Sequence, residues 1–305
     1  MKRGLVFAMV LLLGLGALWL SERRKAEAPV SPDPVLYFIA DAERELSRVP
    51  AQATRLPDAE EIRIGDELAQ RIAGETRAPS SQQEQAMQAY VAEVGARVVV
   101  HTQRRLPYRF HYLPESYLVN AFSLPGGHVY IGAGLLQLMD SEDELAAVLG
   151  HEVEHIDRYH CVERYQVEAR MRRTGLVADL VQLPLEIFQA GYTKDQELEA
   201  DREGTRLAVE AGYSPLGAIR VFEAYQRLRR QREAQASSPS EEAARMTAET
   251  LSGYFRSHPG EADRIEQIRR LIASEHWEDR VNERPLKVRY QPPTAPAGNQ
   301  ETSGR

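Results

Sequence analysis

Cysteine is nearly absent from this chain: Cys161 stands alone among 305 residues. No internal disulfide can form, and a zinc site built from four thiolates is excluded. A single thiol suits either side of a membrane, and Cys161 reads as a small packed residue. Positive charge is also short, with 38 Lys and Arg against 45 Asp and Glu, a net charge of -7. Binding a phosphate backbone needs a basic surface, so nucleic acid is set aside as a partner. No segment recurs at a period of about 20 to 50 residues, which excludes an appended solenoid. Long apolar runs are scarce too. The exception is Leu5 to Leu20, and no cysteine lies near it to carry a lipid anchor.

That run follows Lys2 and Arg3 and is closed by Ser21-Glu22-Arg23-Arg24-Lys25. Residues 1–25 are therefore expected to be a membrane anchor or signal segment. Ala26-Glu27-Ala28 has the form of a cleavage site, but it lies beyond a charged cluster. Lys2 and Arg3 would hold the N-terminus inside, while Arg23, Arg24 and Lys25 pull the other way. The expectation is an anchored chain with its catalytic domain exported, on the periplasmic side if bacterial. A cleaved, soluble periplasmic form and a cytoplasm-facing form are the alternatives.

What is present is an ordinary globular composition, 43% hydrophobic and 27% charged, enough for a sizeable core. Residues 26–57, with Pro29, Pro32 and Pro34, read as a linker carrying a short amphipathic helix. One catalytic domain is expected over 58–280, and a mostly disordered Pro/Gly/Ser tail over 281–305. Helical periodicity starts at Asp58 and again at Ser81. Strands are expected over 108–113, 117–122 and 128–131, the last two separated by Pro125-Gly126-Gly127. Helices follow over 141–158, 162–190, 194–211, 215–233, 241–256 and 261–274. The apolar stretch 176–188 carries Asp179, Pro184 and Glu186 and reads as core packing rather than a membrane span.

The stretch SEDELAAVLGHEVEHIDRYH, residues 141–160, carries the chemistry. Ser141 and Glu144 form a capping-box pattern that marks a helix start. Leu145, Val148, Leu149, Val153 and Ile156 then give that helix a buried face. His151 and His155 lie four residues apart, so both imidazoles project from one face toward one Zn²⁺. Glu152 sits about 100° around the helix, placed to act on a water without being a ligand. A helix with two surface histidines is the plain alternative. A catalytic zinc needs a third ligand. Gly and His do not recur downstream at the spacing metzincins use, and His160 falls one residue off, reading as a cation at the helix C-terminus. The later helix KDQELEADREGTRLA, residues 194–208, offers Glu197 and Asp201 one turn apart. Glu197 can complete the ligand set, and Asp201 can accept a hydrogen bond from a ligand histidine. The same acids would also suit a solvated helix face.

Taken together, NAFSLPGGHVYIGAGLL (120–136), ELAAVLGHEVEHIDRYH (144–160), ELEADREGTRLA (197–208) and the weaker SHPGEADRI (257–265) resemble one family. It is that of the gluzincin metallopeptidases of the HtpX and BepA type, which also includes the CAAX prenyl endopeptidase. The blocks span most of residues 58–275, in order and spacing. The resemblance implies an α+β, mainly helical zincin fold with a small mixed β-sheet beside the active-site helix. It implies one Zn²⁺ per subunit, endopeptidase activity on polypeptide substrates, and Glu197 as third ligand. It further implies that Gly126, Gly127, His128, Val129 and Tyr130, up to Ile131, form the strand along the substrate cleft, where an extended peptide could add. His258 matches a position that approaches the metal, as a gate or as an oxyanion stabiliser with a catalytic role. Arg264 matches a partner position near the cleft, a substrate-binding candidate. The chain lacks the several membrane spans of HtpX and the repeat-built extension of BepA. Misfolded or membrane-associated proteins are the expected substrates, in envelope quality control. A zinc-bearing chaperone or adaptor that holds clients without cutting them is the competing reading.

Overall fold

A computed structural model describes residues 56–173, 192–235, 258, 261–280 and 283–288. The expected anchor, linker and helices over 35–48 and 241–256, and the stretch 176–188, lie outside the described residues. Among the described residues no helix is long and apolar enough to cross a membrane.

The described chain is mostly helical, with a small mixed sheet of three strands. Helix α1, Asp58–Glu75, opens with Asp58, Glu60 and Glu61, acids that suit a helix N-terminus. It buries Ile64, Leu68 and Ile72 at four-residue spacing. Helix α2, Gln82–Val98, starts at a full capping box between Ser81 and Glu84. Strands β1 (Arg109–Leu113), β2 (Ala121–Leu124) and β3 (His128–Gly132) form a sheet in the order β1-β3-β2. β3 runs parallel to β1 and antiparallel to β2. After the short α3 (Ala133–Leu136) come α4 (Glu142–Asp157) and α5 (His160–Arg173). Then follow α6 (Lys194–Glu210), α7 (Leu216–Gln235) and α8 (Glu261–Ser274).

Strand alternation sorts the side chains onto two faces. Phe122, Leu124, Tyr130 and Leu113 meet Ile64, Leu68 and Ile72 of α1. Ala121, Val129, Ile131, Phe110 and Tyr112 join the main core with α2 and α4. The sheet is thus a layer between α1 and the α2–α4 pair. α4 is buried along its whole length and packs against α2, α6, α7 and β2. It is the axle of the fold, and its apolar run explains why: a helix apolar on several faces must be covered on all of them.

Three expectations are corrected here. β2 begins at Ala121 rather than Tyr117, because Leu118 N and Val119 N bond back to Glu115 O and Tyr117 O, turning the chain before it can extend. β3 lies in the middle of the sheet, paired on both sides over its length, so it offers no free edge to a peptide. Hydrophobic alternation marks a strand but not its neighbours, and the long-range parallel pairing with β1 leaves no local signal. Order also extends past 280. Pro285 bridges Ser141, Glu142 N donates to Arg284 O at 2.8 Å and Arg284 N donates to Asp143 Oδ2 at 2.7 Å. Residues 283–288 are therefore strapped to the start of α4.

Candidate metal centre

α4 and α6 approach unusually closely. A Cβ on Gly204 of α6 would lie 2.6 Å from His151 N, and one on Gly150 of α4 would lie 2.6 Å from Gly204 O. Two glycines face each other at the crossing, so the backbones nearly touch. This brings Glu197, two turns up α6 and fixed by the Thr193–Gln196 capping box, over the paired histidines.

Donor atoms of His151, His155, Glu197 and His258 all lie within 4.8 Å of one another. His151 Nε2 is 3.1 Å from His155 Nε2 and 3.2 Å from His258 Nδ1. Glu197 Oε1 is 2.9 Å from His258 Nδ1 and 3.6 Å from His155 Nε2, and its Oε2 is 3.5 Å from His151 Nε2. Four donors placed tetrahedrally at ~2.05 Å from a zinc ion would stand about 3.3 Å apart. The five separations given above, 2.9 to 3.6 Å, lie near that value, and the nitrogen and carboxylate donors are those zinc takes. Charge points the same way. Glu152 and Glu197 are 0% exposed and Asp201 5%, against one fixed cation, Arg264, and buried acids need a compensating cation.

Each ligand candidate is held from behind. Asp201 Oδ1 lies 2.9 Å from His151 Nδ1, which leaves Nε2 facing the cluster. His155 Nδ1 lies 3.0 Å from His160 Nδ1, and His160 Nε2 lies 3.3 Å from Glu199 Oε2. With His155 donating from Nδ1, His160 accepts and passes its own N–H to Glu199. The ring of Tyr192 stacks on His155 at 3.6 Å between centroids. Burial drives the His155 pKa well below the ordinary histidine value. Burial alone would lower His151 as well, but hydrogen bonds to Asp201 and Glu197 outweigh it and raise it to about 9. For Glu197 burial is outweighed by its interactions with His258 and the Arg264 guanidinium, which hold it well below the usual carboxylate range.

Glu152 points to the same cluster. Its Oε2 accepts from Ser123 Oγ at 3.0 Å, and its Oε1 lies 3.3 Å from His258 Nε2 without hydrogen-bond alignment. His258 thus stands beside both the candidate ligands and Glu152, a place that suits either the gate or the oxyanion role expected of it.

Other site expectations fare differently. Gly126 and Gly127 have φ of 79° and 114°, a region glycine alone occupies at low cost. Both are buried, and Gly126 N donates to Glu61 Oε1 at 3.0 Å. They form a turn under α1, not a substrate surface. His128 is buried, bonded to Asp66 at 2.9 Å and His111 at 3.0 Å, and Val129 and Tyr130 are core residues on opposite faces. Arg264 is 2% exposed. It donates to Asp201 at 2.5 and 2.7 Å and to His258 O at 2.8 Å, with Glu197 Oε2 3.1 Å away. It braces the cluster and has no surface left for a substrate. His160, read as a helix C-terminal cation, instead opens α5. The helix breaks at Tyr159, whose φ of 65° turns the chain under His155.

Residues 81–272, well over half of the chain, match the family described as Peptidase family M48. The beta-barrel assembly-enhancing protease of Yersinia pestis is 30% identical over 147 residues, 41% of this chain and 30% of that protein. The mitochondrial metalloendopeptidase OMA1 of Arabidopsis thaliana is 34% identical over 113 residues, 35% of this chain and 23% of the relative. Metalloprotease LoiP of Escherichia coli (strain K12) is 27% identical over 170 residues, 52% of this chain and 60% of LoiP. The chain thus matches under a third of the length of the first two of these relatives.

Proposed function

From the premise that this chain belongs to peptidase family M48, we propose that it is a zinc-dependent metalloendopeptidase with a zincin arrangement of its active-site helix and sheet. His151, His155 and Glu197 would hold the metal, with His258 beside them in this closed form. The observation that carries this reading is the convergence of four buried donors, from three separate parts of the chain, within 4.8 Å of one another. Zinc, when bound, supplies Lewis-acid polarisation of a carbonyl and a lowered proton affinity for water. Glu152 takes a proton from the attacking water through Oε1, since Oε2 is held by Ser123, and returns it to the leaving amine. Asp201 and Arg264 keep His151 and Glu197 in register. β2 is the sheet edge nearest Glu152, and a peptide would extend along it. Every residue of β2 is buried, so a substrate enters only after the covering groups, His258 among them, move aside.

The chain's apolar segment 5–20 and the printed name of its beta-barrel assembly-enhancing relatives support substrates among misfolded envelope or membrane proteins. An exported, membrane-anchored catalytic domain fits both.

Incubation of the zinc-loaded chain with casein tests the activity. Cleavage should stop with a chelator, and Glu152→Gln should lose about 100-fold or more of kcat while still binding zinc. Wild-type cleavage by Glu152→Gln would remove Glu152 from the scheme, and binding of casein without cleavage would favour the client-holding alternative. Comparing membrane-fraction proteomes with active and Glu152→Gln protein would identify the clients.

A further inference from the structure

We propose that Ser123 is a positioning residue for Glu152, itself held by a one-way hydrogen-bond relay from Tyr192 through Cys161. The inference rests on the metallopeptidase reading above for its catalytic consequence, but the relay itself is a feature of the chain's own groups.

Ser123 sits on β2 between Phe122 and Leu124, which pack toward α1. Alternation turns Ser123 the other way, toward α4, on the face of Ala121. An alanine would fill that place equally well, and a buried hydroxyl is costly unless bonded. Ser123 is 1% exposed and Cys161 0%.

Proton counting fixes the direction. A carboxylate only accepts, so Ser123 O–H donates to Glu152 Oε2 at 3.0 Å. The hydroxyl has no second proton, so in its 3.3 Å contact with Cys161 Sγ it can only receive, from a thiol S–H that also reaches the Ser123 carbonyl at 3.7 Å. The thiol proton is then committed, so Tyr192 O–H donates to Cys161 Sγ at 3.3 Å. The same Tyr192 ring stacks on His155 at 3.6 Å between centroids. One network thus registers the base against a ligand histidine. Its effect on Glu152 is specific. The terminal torsion of a glutamate is broad, and tethering Oε2 sets the direction of Oε1, which accepts no hydrogen bond in this form. The kink at Tyr159 makes the arrangement possible, because it starts α5 at once and lays Cys161 beneath β2.

Two readouts test the proposal. In kinetics, Ser123→Ala should lower kcat by about tenfold, the order expected for one lost hydrogen bond to a charged group. KM and zinc stoichiometry should stay unchanged, and Ser123→Thr, which keeps the hydroxyl, should recover most of the loss. In spectroscopy, the only cysteine gives one S–H stretching band in the infrared. That band should lie below its position in the unfolded chain. It should move up in Ser123→Ala, where the thiol is left only the residue-123 carbonyl, 3.7 Å away in the present structure. A band unmoved by Ser123→Ala overturns the relay. Wild-type kcat in Ser123→Ala alongside inactive Glu152→Gln overturns the positioning role while leaving the metallopeptidase reading intact. If zinc-loaded wild type cleaves nothing, the metallopeptidase reading fails and with it the positioning role, while the thiol band still decides whether the relay exists.

Discussion

Half-buried His111 and buried His128 show how a residue pair writes pH dependence into the fold. His111 lies between the rings of His128 and Tyr130, with centroids at 5.2 and 4.4 Å. Burial, with the neighbouring His128 and Arg109, pushes His111 down to about 4, and burial also lowers His128. The folded value lies below the unfolded value of about 6.5, so folding favours the neutral ring. The corresponding stability is present above about pH 6.5 and is lost as pH falls toward 4. Thermal melts should show a smaller fall in Tm between pH 7 and pH 4.5 for His111→Phe, which keeps the stack, than for wild type. An equal fall in both would show that this histidine does not contribute. At the same scale, the paired histidines were legible because helical spacing puts them on one face, with Glu152 about 100° around it; spacing only offered Glu197 and Asp201, and the resemblance singled out Glu197. His160 was not legible. Its role depends on a left-handed Tyr159, a backbone state that a tyrosine rarely adopts and that no spacing rule announces. Ser123 was hidden for another reason: a serine in a short strand carries no sign of the carboxylate it will meet.

Between elements, the decisive contact is the crossing of α4 and α6. Gly150 directly precedes His151, and Gly204 follows Asp201 by three residues. Both small residues were visible in the sequence, but their meaning requires knowing that the two helices face each other there. Gly204→Ala would force its Cβ against His151 N and Gly150 C, backbone atoms that cannot yield. The expected result is a loss of about 1–3 kcal/mol of stability, together with weaker zinc binding as Glu197 is lifted from the histidines. Gly74→Ala in α1, with nothing within 4 Å, is the control and should be neutral or stabilising by up to about 1 kcal/mol. Denaturant titration of both variants reads the difference, and equal stabilities would refute the close-crossing argument. The strands at 109–113 and 128–132 were legible close to their bounds, whereas β2 starts four residues later than expected and the order β1-β3-β2 was not legible, since parallel partners are set by distant chain.

For the whole molecule, the described residues form one layered body around α4, with the candidate metal centre closed over by its own brace. The helix-rich class could be read from periodicity, whereas the small mixed sheet was what the resemblance implied. The limit of the folded region could not: residues 283–288 look like the start of a polar tail, yet they cap the N-terminal end of α4. Leu286 and Val288 pack on the main core, and the Arg284 guanidinium lies 4.7 Å over the Tyr213 ring. Deleting residues 281–305 should therefore lower Tm, because buried Asp143 and Glu142 lose the partners of Oδ2 and the backbone N–H. Deleting only 289–305 should leave Tm nearly unchanged. Equal Tm for both truncations and the full chain would show that the strap carries no stability.

Zinc titration of the metal-stripped chain by calorimetry reaches the central claim most directly. One zinc per chain should bind to wild type and to Glu152→Gln alike. Glu197→Ala should weaken binding by more than the roughly 10- to 100-fold that losing an outer partner costs. Zinc binding to Glu197→Ala with wild-type stoichiometry and affinity would contradict the account.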